Sequence, residues 1–538
     1  MLRGPPAPRA GPRAILDAMR SAPLSRLPLP RSPLAIVALA LAAAALTAGV
    51  VGCGGRAHSG GSQAAPPAAP AAVKAYAAAR WIPAHPTYAI AARTIAEGQR
   101  AARDLLGSFG GFGGLDLAMA SRLLRGVLGF DPLSPESTAE LGVDPQGSAV
   151  LFSEGLSPTL VVRLADPAQT QAFFERQRAT GAKVASVLVD GVEVFTVALP
   201  GGMSGSWAIA DGWMWIHLEL PGPAQPAGGA PWLLASRRPG AAAWGGTWQW
   251  ALERGGQGAR PAILGFVDGR ALIASLSPRL SAAVGCARLL EPVGRIAVAA
   301  ELAGDYRSNR LGGRLSIEIG DAAAGIGRAV LPPPAGWAAA AARAPLSVQW
   351  NLDLAAVRGA LAPCAQALAI DLAPLEQFGV RTARVILQHF NADKPQNSRG
   401  AASLDLTSRT YAAQLLDEIP GRSLIERKRT FGPYQGRSLA IPFGGPTIDY
   451  VLDDQRALVG IGEGVLAGVV GQPGAPAAPP APLLAIDAAP PAMPREAWAG
   501  LLQLAGLRAD WLLAWHELHL AIVLDGAQLV IDASGRQR

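Results

Sequence analysis

The sequence predicts an α+β protein built of repeated modules of mainly antiparallel sheet, with helices on one face. Three observations carry this. Short stretches alternate apolar and polar residues, as around Leu160, Val162 and Leu164, which puts one set of side chains on one face of a strand. Asp-Gly pairs begin at Asp190, Asp211, Asp268 and Asp525, between apolar stretches, where a tight turn needs positive φ. A pattern of glycine, strand, turn and strand recurs along the chain.

The recurrence is read in chain order. PTYAIAARTIAEGQRAARDLL from Pro86 reads as strand then helix, and LGVDPQGSAVLFSEGLSPTLVVRLADPAQTQAFFERQ from Leu141 as two strands then a helix. DGVEVFTVALPGGMSGSWAIADGWMWI from Asp190 adds further strands. The strand-helix signal returns at Pro261 and Pro345, with a divergent version at Pro482. The two-strand signal returns at Val293, Phe378 and Ala505; Leu315, Ile317 and Ile319 alternate in one copy, Leu404 and Leu406 in another. Gly142, Gly294, Gly379 and Gly506 hold the same place in these copies. The stretch from Gln435 matches that from Asp190, and Gly444-Gly445 coincides with Gly201-Gly202.

The 538 residues exceed a typical single domain, and half are hydrophobic, ample for sizeable cores. Segment 1-52 reads as a signal peptide, 53-80 as a lipidated cysteine and tether, and 81-231 as the first α+β module. Segment 232-344 reads as a second, partial repeat, 345-470 as a third module, 471-482 as a Pro/Ala linker and 483-538 as a C-terminal partial repeat.

The address comes from the N-terminus. Six arginines, Arg3 to Arg31, precede the apolar run SPLAIVALALAAAALTAGVVGC, opposed only by Asp17. Together they account for five of the seven net positive charges and leave +2 for the remainder, which argues against a nucleic-acid partner. Val50-Val51-Gly52-Cys53 resembles the bacterial lipobox, which implies that Cys53 is diacylated and becomes the mature N-terminus. The competing reading is an uncleaved anchor, because the apolar run is long enough to span a bilayer. Gly54, rather than Asp, follows the cysteine and favours the outer over the inner membrane.

RWIPAHPTYAI, then GFDPLSPESTAELGVDPQGSAVLF, resembles a group of secreted bacterial proteins whose domains open on a Pro-Ala-x-x strand and carry a Gly-Val-Asp-Pro turn. The likeness covers mainly Trp81 to Gln177 and, weakly, the repeat after Pro345. It implies a secreted α+β fold and brings no activity with it.

No catalytic, cofactor or metal constellation stands out. WHELHL holds His516 and His519 at i and i+3, whereas a zinc site on a helix needs i and i+4. The repeat also places this stretch on a strand. His85, His217 and His389 are isolated along the chain. GIGEGVLA, from Gly460, fits a permissive dinucleotide loop but runs into the linker with no βαβ unit to complete it. GMSGS, around Ser204, breaks the nucleophile-elbow spacing. Trp207, Trp213, Trp215, Trp244, Trp248 and Trp250 are candidates for an aromatic binding surface; hairpin and core packing is the competing reading. Cys286 and Cys364 end matching helical stretches and are candidates for a disulfide, against two separately buried thiols.

The expected function is that of a lipid-anchored cell-envelope protein, facing the periplasm or exterior, that binds or scaffolds a protein, glycan or lipid without catalysis. The alternatives are a carrier of a lipid or other apolar ligand, and an enzyme whose site leaves no sequence motif.

Overall fold

The computed structural model describes residues 75–83, 85–103, 118–119, 121–122, 125, 130–179, 184–199, 202–220, 243–255, 261–276, 291–303, 310–359, 379–391, 397–410, 412–413, 426–440, 446–470, 481–504, 513 and 515–537. Among the described residues twenty strands join in one open, antiparallel sheet. The first ten are β1 (Tyr88–Ala92), β2 (Ala149–Ser153), β3 (Thr159–Arg163), β4 (Val184–Val189), β5 (Val192–Leu199), β6 (Met203–Ala210), β7 (Trp213–Glu219), β8 (Ile263–Asp268), β9 (Arg295–Ala303) and β10 (Arg310–Glu318). The second ten are β11 (Leu346–Trp350), β12 (Val380–His389), β13 (Arg399–Leu406), β14 (Glu426–Phe431), β15 (Tyr434–Ala440), β16 (Thr447–Leu452), β17 (Arg456–Ile461), β18 (Leu484–Ala488), β19 (Trp515–Asp525) and β20 (Gln528–Gln537).

Pairing gives a linear order. From one edge it runs β4-β5-β6-β7-β3-β2-β1-β8-β9-β10. It crosses to β20 and continues β19-β18-β11-β12-β13-β17-β16-β15-β14 to the other edge. Read inward from either edge, the order is the same with strand numbers shifted by ten. The segments expected as separate modules share this sheet: β1 pairs with β8 across residue 231, and β11 with β18 across the 471–482 linker. The physical reason is that each strand–helix–hairpin unit leaves open edges, and neighbouring units satisfy them by pairing.

Local signals hold where turn chemistry dictates them. Asp190 and Asp211 take positive φ, 48° and 51°, in the β4–β5 and β6–β7 turns. Gly142 is at φ 78°, and a Cβ there would lie 2.4 Å from the Asp166 carbonyl, so this hinge before β2 requires glycine. Asp268 departs from expectation. Its carboxylate accepts the Ala271 N–H at 2.9 Å and caps the helix Gly269–Leu276, so this Asp-Gly opens a helix instead of a turn.

Expectation put helices on one face. In the first half, cover lies on both faces, because residues of both parities along these strands are apolar and each set needs burial. Ala89, Ala91, Phe152, Val161, Trp213 and Trp215 pack under the 3-10 turn Ala77–Trp81 and the helix Ala243–Gly255. From the opposite face, Ala149, Leu160, Val162 and Met214 pack with Ile95, Phe130, Phe173 and Phe174, the last two on the helix Pro167–Ala179. In the second half, Ile386 and Ala401 pack with the helices Trp337–Ala341 and Val465–Val470, and Leu387 and Leu518 with Trp498 of Arg495–Leu504.

Candidate binding surfaces

The tryptophans offered as an aromatic surface are mostly core. Trp215 is fully buried, Trp213, Trp248 and Trp207 nearly so, and Trp250 packs partly buried against the same core as Trp213. They also divide between places: Trp207 is stacked between Phe174 and Phe195, at 4.6 and 5.4 Å between ring centroids, whereas Trp248 meets Tyr76 edge-on at 5.6 Å. The physical cause lies in the register: Trp207 of β6 pairs with Ile216, one position from Trp215, so it faces away from Trp213 and Trp215, and both faces are covered. The side chain of Trp244 lies outside the described residues, as do Cys53, Cys286 and Cys364.

Under the cover of the first half lies an apolar cavity of about 160 Å³, between β1, β2, β3 and β7 and the helix over 95–103. Ala92, Ile95, Phe130, Leu160, Val162 and Met214 are among its lining residues. The polar Gln99 at its wall donates from Nε2 to the Pro132 carbonyl at 3.0 Å and to Thr138 Oγ1 at 2.9 Å. This volume suits a benzene-sized group, since an engineered apolar cavity of about 150 Å³ takes benzene. It is well below the roughly 300–1,000 Å³ of ordinary ligand pockets.

A charged cluster that sequence reasoning missed sits inside the second half. Arg384 is fully buried. Its Nη1 donates to Asp405 Oδ2 at 2.9 Å, its Nη2 to the Leu331 carbonyl at 2.8 Å and its Nε to Asn351 Oδ1. Asp405 also accepts from the Thr382 hydroxyl and, at 3.0 Å, from Arg456 Nε. Burial alone would raise the Asp405 carboxyl; the Thr382 hydroxyl and the Arg384 and Arg456 guanidiniums reverse this and hold it below the usual carboxylate range. The Arg384 guanidinium and the Asp405 carboxylate spend their hydrogen bonds on each other and on neighbouring strands, so the arrangement ties β11, β12, β13 and β17 together. The contributing positions span 331 to 456, and no local spacing announces them.

The other sequence candidates fall as follows. WHELHL lies on β19, where His516 is exposed and His519 bonds Asp487 of the neighbouring strand. His217 is buried on β7 with Nδ1 2.9 Å from Thr159 Oγ1, and burial pushes its imidazole down to about 4, against small opposing effects of Glu219 and the Pro158 backbone. GIGEGVLA leads from β17 into the six-residue helix Val465–Val470, which packs back on the sheet. Among the described residues no group of three or more His, Cys, Asp or Glu could hold a metal ion, and no helix is long and apolar enough to cross a membrane.

The two sheet edges differ. β4, VASVLV, pairs only with β5 among the described strands, and Val187 and Leu188 are 48% and 72% exposed. β14, ERKRTF, pairs only with β15 among the described strands, and its exposed residues include Arg427, Lys428 and Arg429. Charge on an edge discourages strand addition, so β14 is protected, and β4 carries no such charge.

No protein-family model and no curated protein matches the chain. Among solved structures, one described as crystal form IV of TP0453 is similar over 47% of this chain and 84% of that chain, at 8% identity and a TM-score of 0.22. At that score the likeness carries no argument.

Proposed function

We propose that the chain is a lipid-anchored cell-envelope protein that works without catalysis, as a scaffold that binds another polypeptide by strand addition at β4. In this reading its two ten-strand runs are copies of one α+β module, and Cys53 is the acylated N-terminus. The single observation that carries the binding role is the contrast between edges: uncharged, apolar-exposed β4 against basic β14. An uncharged edge with no second neighbour among the described strands offers backbone N–H and C=O groups for affinity and alternate side chains for specificity.

Site-specific photo-crosslinking from position 187, in cells, tests it. The expected result is one reproducible envelope protein captured from β4 and lost on Leu188→Lys, with no such capture from Lys428 on β14. Capture of a second copy of this chain would identify self-pairing. Equal capture from both edges, or capture insensitive to Leu188→Lys, would sink the binding role. The anchor is tested separately: Cys53→Ala should block maturation at the signal, whereas equal membrane retention of uncleaved wild type and variant would support a transmembrane anchor.

A second reading, carriage of a small apolar group, is favoured by the cavity beneath the 95–103 helix. The cavity's volume confines that reading to a ligand or acyl segment of a few carbons, short of a diacyl lipid.

A further inference from the structure

Where the described chain begins, the turn Ala77–Trp81 lies on the sheet and sets Trp81 edge-on against Trp213 and Trp215, with ring centroids 6.1 and 5.3 Å apart. Arg80 lies over both Trp81 and Trp213, its guanidinium carbon 4.6 and 5.0 Å from the two ring centroids. Arg163 stands directly opposite Trp213 in the β3–β7 pair, its guanidinium carbon 5.3 Å from the same indole. Two guanidiniums therefore share one aromatic ring.

The seat of Arg163 is built into the backbone. A Cβ at Gly147 would come within 2.5 Å of Arg163 Cβ, and one at Gly212, where φ is +74°, within 3.0 Å of Arg163 Nη1. Nη1 donates to the Asp211 backbone carbonyl at 3.2 Å. Neither arginine has an ion-pair partner among the described residues. The indole N–H groups of Trp81 and Trp213 are buried without an acceptor there as well. The neighbourhood is thus rich in donors and poor in acceptors.

The second half shows the neutralised version. At the same place in its strand order, Asp405 stands opposite Arg456 and pairs with it at 3.0 Å. In the first half those two positions hold Arg163 and Trp213. Burial and the nearby Arg163 both lower the Arg80 guanidinium, and Asp211 only partly offsets them. An added anion would relieve that repulsion.

We propose that Arg80 and Arg163 together bind a phosphate oxyanion beside the Trp213 ring. Phosphate fits better than carboxylate because its oxygens are set tetrahedrally, so two guanidinium forks can approach it from different sides, whereas a carboxylate's two oxygens share one plane. The phosphate could come from a phospholipid headgroup or from a soluble phosphate. The headgroup source rests on the lipid-anchor reading, since Arg80 follows Cys53 by 27 positions; the soluble source does not.

Isothermal titration of the purified full chain with inorganic phosphate tests the site. Binding should weaken at least tenfold in Arg80→Gln and in Arg163→Gln, with folding checked by thermal melting. Asp211→Asn should tighten it, because it removes the neighbouring negative charge while asparagine still suits the positive-φ turn. This variant keeps the proposal falsifiable if the glutamine variants fold poorly. Monomeric dihexanoyl phosphatidylglycerol, titrated in parallel, separates the sources: at least tenfold tighter binding than inorganic phosphate identifies a headgroup, and equal or weaker binding a soluble phosphate. Absence of phosphate binding in wild type and Asp211→Asn, or an affinity unchanged in folded Arg80→Gln and Arg163→Gln, overturns the site whatever anchors the chain.

Discussion

His519 of β19 bonds through Nδ1 to the carboxylate of Asp487, the residue directly opposite it on β18. Asp487 is the main reason the imidazole is raised above its ordinary value; burial opposes it, and Asp532 adds a smaller push in the same direction. Asp532 itself is raised by burial and eased by Arg314 and His519, so the whole patch shares charge. A histidine raised on folding contributes stability that is fully present below about pH 6.5 and lost as pH rises through its folded value. His519→Gln should therefore cost most near pH 6 and least near pH 8, by less than about 1 kcal/mol for so exposed a pair. Urea midpoints at pH 6, 7 and 8 check this; a cost that grows with pH would refute it.

His217 has the opposite sign. Its imidazole is held down to about 4, so between pH 6.5 and 4 the unfolded chain takes up a proton that the folded chain refuses. Stability is complete above pH 6.5 and falls toward pH 4, by about 3 kcal/mol for this group. His217→Gln should flatten that acid limb, measured by denaturant unfolding from pH 7 to 4. An unchanged limb would mean the imidazole protonates in place.

Asp405 should be the most sensitive charge in the second half. Asp405→Ala strands the buried guanidinium of Arg384 and should cost about 3–5 kcal/mol. Replacing both partners, as Asp405→Leu with Arg384→Met, should recover much of that loss, because it removes both deeply buried charges and leaves only the partly exposed Arg456 guanidinium. A double variant as unstable as the sum of the single ones would show that the cluster acts through something other than paired charge.

Met214 closes one wall of the first-half cavity. Met214→Ala should enlarge it, cost about 2–5 kcal/mol and increase uptake of benzene or xenon. Native mass spectrometry and thermal shifts with benzene report both. Lost stability with no gain in uptake would mean the site collapses, and would weaken the carrier reading.

The sequence made some of this legible and hid the rest for definable reasons. The turns at Asp190 and Asp211 were readable, because positive φ restricts residue choice locally, and Gly142 showed as a recurring position without its hinge conformation. Asp268 misled, because aspartate before glycine serves a helix cap as readily as a turn. The fate of the tryptophans was hidden, since alternation separates two faces without saying which is covered. Arg384, Asn351, Asp405 and Arg456 were silent because only strand pairing across 105 positions brings them together. The Arg80–Arg163 site was invisible for the same reason: a turn and a strand that are far apart in sequence meet on one indole.

The β10–β20 junction has a consequence for biogenesis. β10, complete by Glu318, gains its second neighbour only when Gln528 to Gln537 have been synthesised. Throughout the intervening synthesis the first ten strands present a raw central edge to every other nascent chain nearby. Chaperone occupancy during synthesis should therefore persist until β20 arrives. Chains shortened before β20 should be lost to proteolysis or aggregation, even though each of the first ten strands is intact.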